Sequence, residues 1–570
     1  MALKDFIAVA RGEKKADLLL KNGQLVNVLS GEIYPANVAI YKGRIAGIGD
    51  YEANKIIDLN GKYMCPGFID AHIHIESTML PPPEFARVTV PHGTTTVVAD
   101  PHEIANVLGI EGIKYMLEVS EDIPQDIFFV LPSCVPSTLL ETSGAKLDAS
   151  DLKPLIKNER IIGLGELMNF KGVLEKNEKV LSKIDMAKTS GIFIDGHAPG
   201  LTGKDLSAYI GVGIRSDHEC VKSEEAKEKL RLGMDIFMRE GSSAKNLEGL
   251  LPLISPLNSR FISLCTDDMH PADLVEGHIN RLLKRAVSLG LPPLKAVQLA
   301  TINPARHFGF AERGAIASGY IADIVVIDDL HDFDVDMVFK DGKLVAEKGK
   351  ANGNSKLKRK AGIKETMQVK SPKIEDFLIK AKGGPVKVID LVPDQILTSQ
   401  SVEEPLIKGN HVVSDIDRDI LKLAVVERHK ASGRVGLGLV RGFGLRRGAI
   451  AQSVAHDSHN IICVGVSEED MLSAVRQVIR LKGGIVVVAG GFVLSELPLP
   501  IAGLMSGEPS EKVVEKLSAL EESAKEIGCP IPDPFGILSF LALPVIPKLK
   551  LTDKGLIDVG KFKIVDLFEQ

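Results

Sequence analysis

Short apolar runs alternate with longer amphipathic stretches between residues 67 and 309. The runs predict strands and the stretches predict helices, for example at 223–232 and 273–289. The predicted strands are 67–70, 95–99, 127–131, 161–164, 192–195, 213–214, 235–238 and 261–265. Alternation of this kind implies a parallel sheet, and eight units in about 250 residues predict a closed (β/α)8 barrel of the TIM type. An open doubly wound sheet is the alternative, but no Gly-x-Gly-x-x-Gly follows an early strand.

The segments that flank this region carry a different pattern, in which short strands are joined by tight turns at Asn-Gly, Lys-Gly and Asp-Gly. Residues 1–66 plus 310–350 therefore predict one small discontinuous β-sandwich domain, with the barrel of residues 67–309 inserted into it. Residues 351–375, which include a basic run at 356–360, predict a solvated linker. Residues 376–570 contain further strands and a helix at 468–481 and predict a C-terminal α/β (α+β) domain.

Composition narrows the class of protein. A chain of 570 residues is too long for one core, and 45% hydrophobic with 25% charged residues is typical of a globular protein in water. The net charge of -6, without an extended basic tract, predicts no nucleic-acid partner. The N-terminus lacks the apolar core of a signal peptide, and no run approaches the ~20 apolar residues of a membrane span. Six cysteines without a Cys-x-x-Cys pair favour the cytoplasm.

The first predicted barrel strand runs into His72 and His74. Residues two apart on a strand point to the same face, so both imidazoles can hold one metal ion. A helix would separate them by about 200°. The alternative is a pair of ordinary histidines near a strand end.

Further polar groups follow other predicted strands. Glu166 ends the fourth, His197 follows the fifth, His218 and Glu219 follow the sixth, and Asp267 follows the eighth. The carboxyl ends of barrel strands carry the chemistry, so four imidazoles and two carboxylates are expected to converge there as a metal site. Imidazole and carboxylate ligands without thiolate fit Mn(II), Fe(II) or Zn(II). Taken alone, Glu166 also fits a surface or helix-capping acid.

Five motifs resemble those of the amidohydrolase superfamily and, along essentially the whole chain, of its bacterial-type adenine deaminase family. They are Pro-Gly-Phe-Ile-Asp-Ala-His-Ile-His-Ile-Glu-Ser at 66–77, Gly-Thr-Thr-Thr-Val-Val-Ala-Asp-Pro-His-Glu at 93–103, Asp-Gly-His-Ala-Pro at 195–199, Ser-Asp-His-Glu at 216–219 and Thr-Asp-Asp at 266–268. The resemblance implies that one metal binds His72 and His74 and a second binds His197 and His218. It also implies a homodimer or higher oligomer, and Mn(II) or Fe(II) in preference to Zn(II).

The same resemblance implies the catalytic groups and the reaction. Many relatives bridge the two metals with a carboxylated lysine on strand four, where this chain has Glu166. The implied reaction is hydrolytic deamination of adenine to hypoxanthine and ammonia by a metal-bound hydroxide, a step of purine salvage. Asp267 would bind near the attacking water and transfer its proton, and Glu166 and His218 would complete the catalytic set. The purine ring nitrogen needs a proton, which Glu219, Glu103 or Glu76 could supply.

Other polar residues are candidates for substrate contact. His102 and Glu103 follow strand two and fit substrate contact, a peripheral metal position or a structural role. Asp268 fits a hydrogen bond to the purine or an N-cap of the following helix. His456, Asp457 and His459 lie in one short loop of the tail, which fits either a polar turn or a cover for the barrel mouth.

Two other functions remain open from the residues alone. A different nucleobase deaminase or a cyclic-amide hydrolase of the same superfamily would share the metal ligands. A non-catalytic metal-binding protein would be expected to have lost some of them, yet every expected position is filled. A cytidine-deaminase zinc site is disfavoured because no His-x-Glu is paired with Pro-Cys-x-x-Cys.

Overall fold

The computed structural model describes residues 2–242, 244–352, 364–393, 395 and 397–569. After helix α1 (Leu3–Ala10), the segments on either side of the barrel form one mixed sheet. Its strands are β1 (Ala16–Asn27), β2 (Glu32–Tyr41), β3 (Arg44–Ile48), β4 (Ala53–Asp58), β5 (Tyr63–Pro66), β14 (Ile324–Ile327), β15 (Val335–Lys340), β16 (Lys343–Glu347) and β17 (Lys350–Ala351). The antiparallel pairing of β5 with β14, for example Cys65 with Val325, joins the two segments. Leu20, Ile40 and Phe339 share one core across this sheet.

The barrel strands pair in parallel, in the order β6 to β10 and again β11 to β13. Their bounds are β6 (Phe68–Ile73), β7 (Thr94–Ala99), β8 (Asp126–Leu131), β9 (Ile161–Leu167), β10 (Phe193–Gly196), β11 (Ser216–Asp217), β12 (Asp235–Arg239) and β13 (Ile262–Cys265). Backbone hydrogen bonds close the ring, from Arg215 N to Ile194 O (3.2 Å) and from Asp267 N to His72 O (2.9 Å). The predicted barrel is confirmed.

Helices surround the ring. They are α2 (Pro82–Thr89), α3 (His102–Leu108), α4 (Ile110–Val119), α5 (Ala149–Leu152), α6 (Phe170–Leu174), α7 (Glu178–Ser190), α8 (Gly203–Gly211), α9 (Ser223–Arg231), α10 (Leu247–Leu250), α11 (Pro271–Glu276), α12 (Ile279–Ser288), α13 (Pro293–Leu299) and α14 (Ile302–His307). Short 3₁₀ helices lie at Ile75–Thr78, Val90–His92, Lys153–Lys157, Leu251–Leu253 and Ser259–Phe261.

Two of the predicted elements differ from the structure. The sixth strand was predicted at 213–214 but lies at Ser216–Asp217, because Gly213 has φ 114° and its N–H closes the preceding helix on Ile210 O. The helix predicted at 273–289 is broken between α11 and α12. There the His278 ring turns inward, with Nδ1 2.8 Å from Thr94 Oγ1, so the chain leaves the helical path at Gly277.

The C-terminal segment forms a second α/β unit, as predicted. Its strands are β18 (Ile379–Lys380), β19 (Val386–Leu391), β20 (Thr398–Glu403), β21 (Ile407–Lys408), β22 (His411–Val412), β23 (Ile420–Val426), β24 (Val435–Arg441), β25 (Ala449–Gln452), β26 (Ile461–Gly465), β27 (Gly484–Ala489), β28 (Phe492–Pro498), β29 (Leu549–Thr552), β30 (Gly555–Asp558) and β31 (Lys563–Val565). Its helices are the 3₁₀ helix Ile374–Phe377, α15 (Glu468–Arg480), α16 (Ser510–Glu526) and α17 (Pro534–Phe540). The main sheet has the order β20-β19-β24-β23-β26-β25-β27-β28.

This unit packs on the barrel at the end that carries the predicted site. Ser506 N donates to Met79 O (2.8 Å), and Thr142 N donates to Asp553 Oδ1 (2.8 Å). Arg87 also contacts Glu511 on α16. The predicted linker of residues 351–375 includes 353–363, which lie outside the described residues together with the basic run at 356–360. Among the helices that the structure describes, none combines the length and apolar character needed to cross a bilayer.

Candidate metal centre

The donor side chains predicted from the sequence meet at the carboxyl ends of the barrel strands. His72 and Glu166 lie within β6 and β9, and the others follow β6, β10, β11 and β13 directly or by two residues. Parallel strands end at one rim of the barrel, so residues far apart in sequence become neighbours there. The structure brings together His72, His74, Glu166, His197, His218 and Asp267, which we call the donor cluster. All but His197 are buried.

The hydrogen bonds of His72 and His74 fix the orientation of both rings. His72 Nδ1 lies 3.0 Å from Asp195 Oδ2, and His74 Nδ1 lies 3.0 Å from the backbone oxygen of Asp100. Both partners are acceptors, so each Nδ1 carries a proton, and in the neutral ring each Nε2 presents a lone pair. The two Nε2 atoms face each other at 3.2 Å. Two lone pairs at this distance repel each other, so the pair fits a cation placed against both nitrogens.

Glu166 lies between the two pairs of histidines. Its Oε1 is 3.3 Å from His74 Nε2, while its Oε2 is 2.6 Å from His197 Nδ1 and 3.2 Å from His218 Nε2. Burial opposes ionisation of this carboxyl group, but the neighbouring histidines hold its pKa well below the usual range. Each pair of histidines therefore has one oxygen of Glu166 beside it, so this carboxylate could serve ions held by both pairs.

Asp267 lies on the other side of His74, with Oδ1 3.2 Å from His74 Nε2 and 4.0 Å from His72 Nε2. Its second oxygen contacts Arg239, whose guanidinium also contacts both oxygens of Glu219. Burial would raise the pKa values of Asp267 and Glu219, but the charge of Arg239 lowers both overall. Glu219 Oε1 lies 3.5 Å from His218 Nε2, so Arg239 holds two carboxylates beside the donor cluster.

Sequence reasoning missed Arg239, Asp195 and Asp100. Arg239 is the last residue of β12 and lies one position after the predicted strand. This position at the carboxyl end of a barrel strand could have indicated a role at the site. Asp195 and Asp100 lie inside the motifs, Asp195 near the end of β10 and Asp100 directly after β7, so position on the rim could have indicated them. Their contacts with His72 and His74 depend on how the barrel closes, which spacing alone does not give.

A second group of polar residues joins the barrel to the C-terminal unit. Glu103 accepts a hydrogen bond from each of two histidines of the tail loop. His456 Nδ1 donates to Oε1 (2.5 Å), and His459 Nε2 donates to Oε2. His459 Nδ1 accepts a hydrogen bond from Ala455 N (3.1 Å), so the proton of this ring lies on Nε2. Burial lowers the pKa of His459 to about 4, in keeping with a neutral ring. A protonated Nε2 is a donor and not a metal ligand, so we interpret this group as a hydrogen-bonded clamp.

The clamp places the predicted tail loop at the barrel mouth. The His456 ring stacks on Phe540 at 4.6 Å with a 15° angle between the planes. Asp457 is buried, and its Oδ2 has no hydrogen-bond partner among the described residues. Burial raises the pKa of Asp457 to about 6. The loop is therefore a contact between the two units and more than a surface turn.

The remaining candidates lie around the donor cluster. His102 Nδ1 is 3.5 Å from Glu166 Oε1, and Asp268 accepts a hydrogen bond from Ser77 Oγ. Asp268 does not cap α11, whose N-cap is His270. Glu76 Oε1 accepts from Ile104 N (3.1 Å), whereas Oε2 has no partner among the described residues and burial raises the pKa of this acid to about 7.

Comparison with known proteins follows the same division of the chain. Residues 63–345 match the Amidohydrolase family, and residues 395–563 match the Adenine deaminase C-terminal domain. A protein named adenine deaminase from Desulfatibacillum aliphaticivorans is 50% identical over 99% of both chains. Another of that name from Methanothrix thermoacetophila is 50% identical over 100% of both. The chain belongs to the adenine deaminase family.

Membership in the adenine deaminase family confirms the resemblance drawn from the five motifs, because the similarity extends over both units. Among solved structures, the L-hydantoinase from Arthrobacter aurescens aligns with 59% of this chain and 98% of its own, at a TM-score of 0.44 and 17% identity. That similarity is too low to bear on activity.

Proposed function

We propose that this chain catalyses the hydrolytic deamination of adenine to hypoxanthine and ammonia. One observation carries the proposal: six imidazole and carboxylate donors converge on one barrel rim in a chain whose full-length relatives are named adenine deaminase. A different nucleobase deaminase or a cyclic-amide hydrolase would use a similar set of donors, so the substrate is inferred from the relatives over both units.

Two divalent ions fit the donor cluster. His72 and His74 would hold one ion near Asp267, His197 and His218 would hold the second, and Glu166 would join them. The facing lone pairs of His72 and His74 support this assignment. Imidazole and carboxylate donors without thiolate fit Mn(II), Fe(II) or Zn(II), and the resemblance to the adenine deaminase family favours Mn(II) or Fe(II). When bound, such a pair lowers the pKa of a coordinated water toward ~7 and so supplies a nucleophile at neutral pH.

Asp267 and Glu219 are the groups we assign to proton transfer. The reaction moves one proton of water to the departing nitrogen and another to the purine ring nitrogen. Asp267 is ionised beside Arg239 and is suited to accept the first proton and release it to ammonia. Glu219 shares the same guanidinium and faces the same space, so we assign it the transfer to the ring. Glu103 is less suited because both of its oxygens are already bonded to histidines.

The substrate side of the site combines residues of both units. His456 is held by Glu103 through Nδ1, which leaves Nε2 available for a hydrogen bond to a purine. Phe540 fixes the plane of this ring. We assign adenine contacts to His456, to Asp268, whose charge acts on that ring, and to Glu76 with its unpartnered oxygen. His102, Asp457 and His459 then support the pocket wall.

The decisive experiment measures ammonia release from adenine after reconstitution of the full chain with Mn(II). Cytosine, guanine and dihydroorotate serve as control substrates. We expect turnover of adenine alone, with hypoxanthine as the product, and about two metal ions per chain by elemental analysis. Turnover of a control substrate in preference to adenine would refute the assignment.

The setting of the reaction is part of the proposal. We propose purine salvage in the cytoplasm, where the six buried free thiols would stay reduced. We also propose a homodimer or larger homo-oligomer, which light scattering on the full chain would test. A monomer at micromolar concentration would contradict it.

A further inference from the structure

A cavity of about 730 Å³ lies between the barrel and the C-terminal unit, and no residue of the donor cluster lines it. Its wall comes mainly from residues 133–140 after β8, residues 146–148 before α5, residues from the end of β9 to 183, and residues 559–562 before β31. Pockets that bind small organic molecules typically measure about 300–1,000 Å³. The cavity therefore has the size for a ligand of its own.

The wall is strongly positive although the whole chain has a net charge of -6. It carries two acids, Asp148 and Glu175, against a larger set of lysines. These are Lys146, Lys171, Lys179, Lys183 and Lys561. A concave surface with an excess of one charge raises the local concentration of ions of opposite charge. The cavity is thus suited to an anion.

Lys183 gives this argument its strongest support. Only 7% of this residue is exposed, and its Nζ donates to the backbone oxygen of Ser133 at 2.6 Å. Asp148 and Asp151 are the acids whose charge acts on it, but Asp148 pairs with Lys179, and among the described residues neither acid forms an ion pair with Lys183. A buried ammonium group without a direct ion pair is costly, and it has three donors, of which Ser133 takes one. The pKa of Lys183 is lowered by this burial. An anion bound in the cavity would supply the missing partner.

The rest of the wall is apolar. Val135, Pro136, Leu139 and Phe170 line it, and the ring of Phe562 lies 5.5 Å from Lys171 Nζ. Leu139 is 78% exposed and so presents apolar surface to a ligand in the cavity. The surface therefore offers contacts to an apolar, planar body as well as to an anionic group.

We propose that this cavity binds an organic phosphate with a planar ring, of the class of nucleoside monophosphates. The phosphate would bind Lys183 and the lysines at the rim, and the ring would pack on Phe170 or Phe562. Lysine is a common phosphate ligand because it acts as a compact point charge.

Calorimetry on the full, Mn(II)-loaded chain tests this with adenosine monophosphate, adenosine and inorganic phosphate. We expect adenosine monophosphate to bind once per chain, and at least tenfold more tightly than adenosine or phosphate. The affinity should fall several-fold when NaCl is raised from about 50 to 500 mM, because salt screens the charges. Absence of binding, or equal affinity for adenosine and its monophosphate, would overturn the proposal.

Two variants separate this cavity from the donor cluster. Lys183→Met should weaken binding of the monophosphate at least tenfold. Lys188→Met, on the same helix but exposed and outside the wall, should leave it unchanged. If Lys183→Met does not fold, the double variant Lys171→Met/Lys561→Met at the rim should show the same loss. Unchanged affinity in the folded variants would place the ligand elsewhere. Adenine turnover is measured separately, so either proposal can fail without the other.

Discussion

Replacing Asp195 by Asn tests the argument that hydrogen bonds fix the His72 ring for metal binding. Asp195 accepts from His72 Nδ1 at 3.0 Å and also from Ser216 Oγ and Gly196 N. The side-chain amide of Asn has the same shape, but it can donate its N–H to His72 Nδ1 where Asp195 accepts. Nδ1 would then be the acceptor, and the proton of His72 would move to Nε2. Nε2 would lose the lone pair that metal binding requires.

The expected loss follows from this change of tautomer. Losing a partner that orients a ligating histidine typically costs about 10- to 100-fold in metal affinity. That range corresponds to roughly 1.4–2.7 kcal/mol, the size of one hydrogen bond to a charged group. Because Asn preserves the shape of the side chain, we expect the fold to persist while the ion near His72 and His74 is bound less tightly.

The assay is a competitive titration with a metal chelator, followed by elemental analysis of the protein. Asp235→Asn is the matched control, since Asp235 bonds His307 Nδ1 at 2.7 Å at the opposite end of a barrel strand. This control should retain both ions. If Asp195→Asn holds two ions as tightly as the unaltered chain, the tautomer argument is refuted.

The other predictions concern turnover and stability. Glu166→Gln and Asp267→Asn should each abolish adenine turnover while the circular dichroism spectrum stays unchanged. The first removes the proposed bridging carboxylate, and the second removes the proposed proton acceptor. Full activity of Asp267→Asn would exclude the proton-transfer role of Asp267. His456→Ala should lower kcat/KM about tenfold, the loss of one hydrogen bond of ~1–1.5 kcal/mol, and unchanged kinetics would make the tail loop purely structural. Burial, followed by the charge of Asp457, raises the pKa of Glu141 to about 8. Since the unfolded carboxyl group titrates near 4.5, its ionisation destabilises the fold increasingly from there to about pH 8. Glu141→Gln should therefore raise Tm at pH 8.5 but not at pH 4.5, and an equal shift at both values would contradict the reasoning.

The arrangement of the barrel was predictable because its signals are local. Apolar runs of four to six residues with a polar residue at the end predict both the strands and the rim, and the His72–His74 spacing predicts a shared face. Arg239 was missed because its partners, Asp267 and Glu219, come from other strands and meet it only when the barrel closes. The break at Gly277 was missed for a similar reason, since it serves the contact of His278 with Thr94.

The tail loop was ambiguous in the sequence for a different reason. His456 and His459 fit a polar turn as well as a site, and nothing near them in the chain decides between the two. Their partner Glu103 lies some 350 positions earlier, so only the packing of the C-terminal unit on the barrel reveals the clamp.

The seam where the barrel closes passes through the donor cluster. Asp267 N bonds to His72 O, and His74 N bonds to Asp267 O, so the first and last strands are joined by the same residues whose side chains converge. An ion held by these side chains would cross-link the two ends of the ring and could not bind once they separated. Metal binding should therefore stabilise the folded enzyme, so Tm should rise with the concentration of free metal ion. When a chelator has removed the metal, the barrel should open first at this seam.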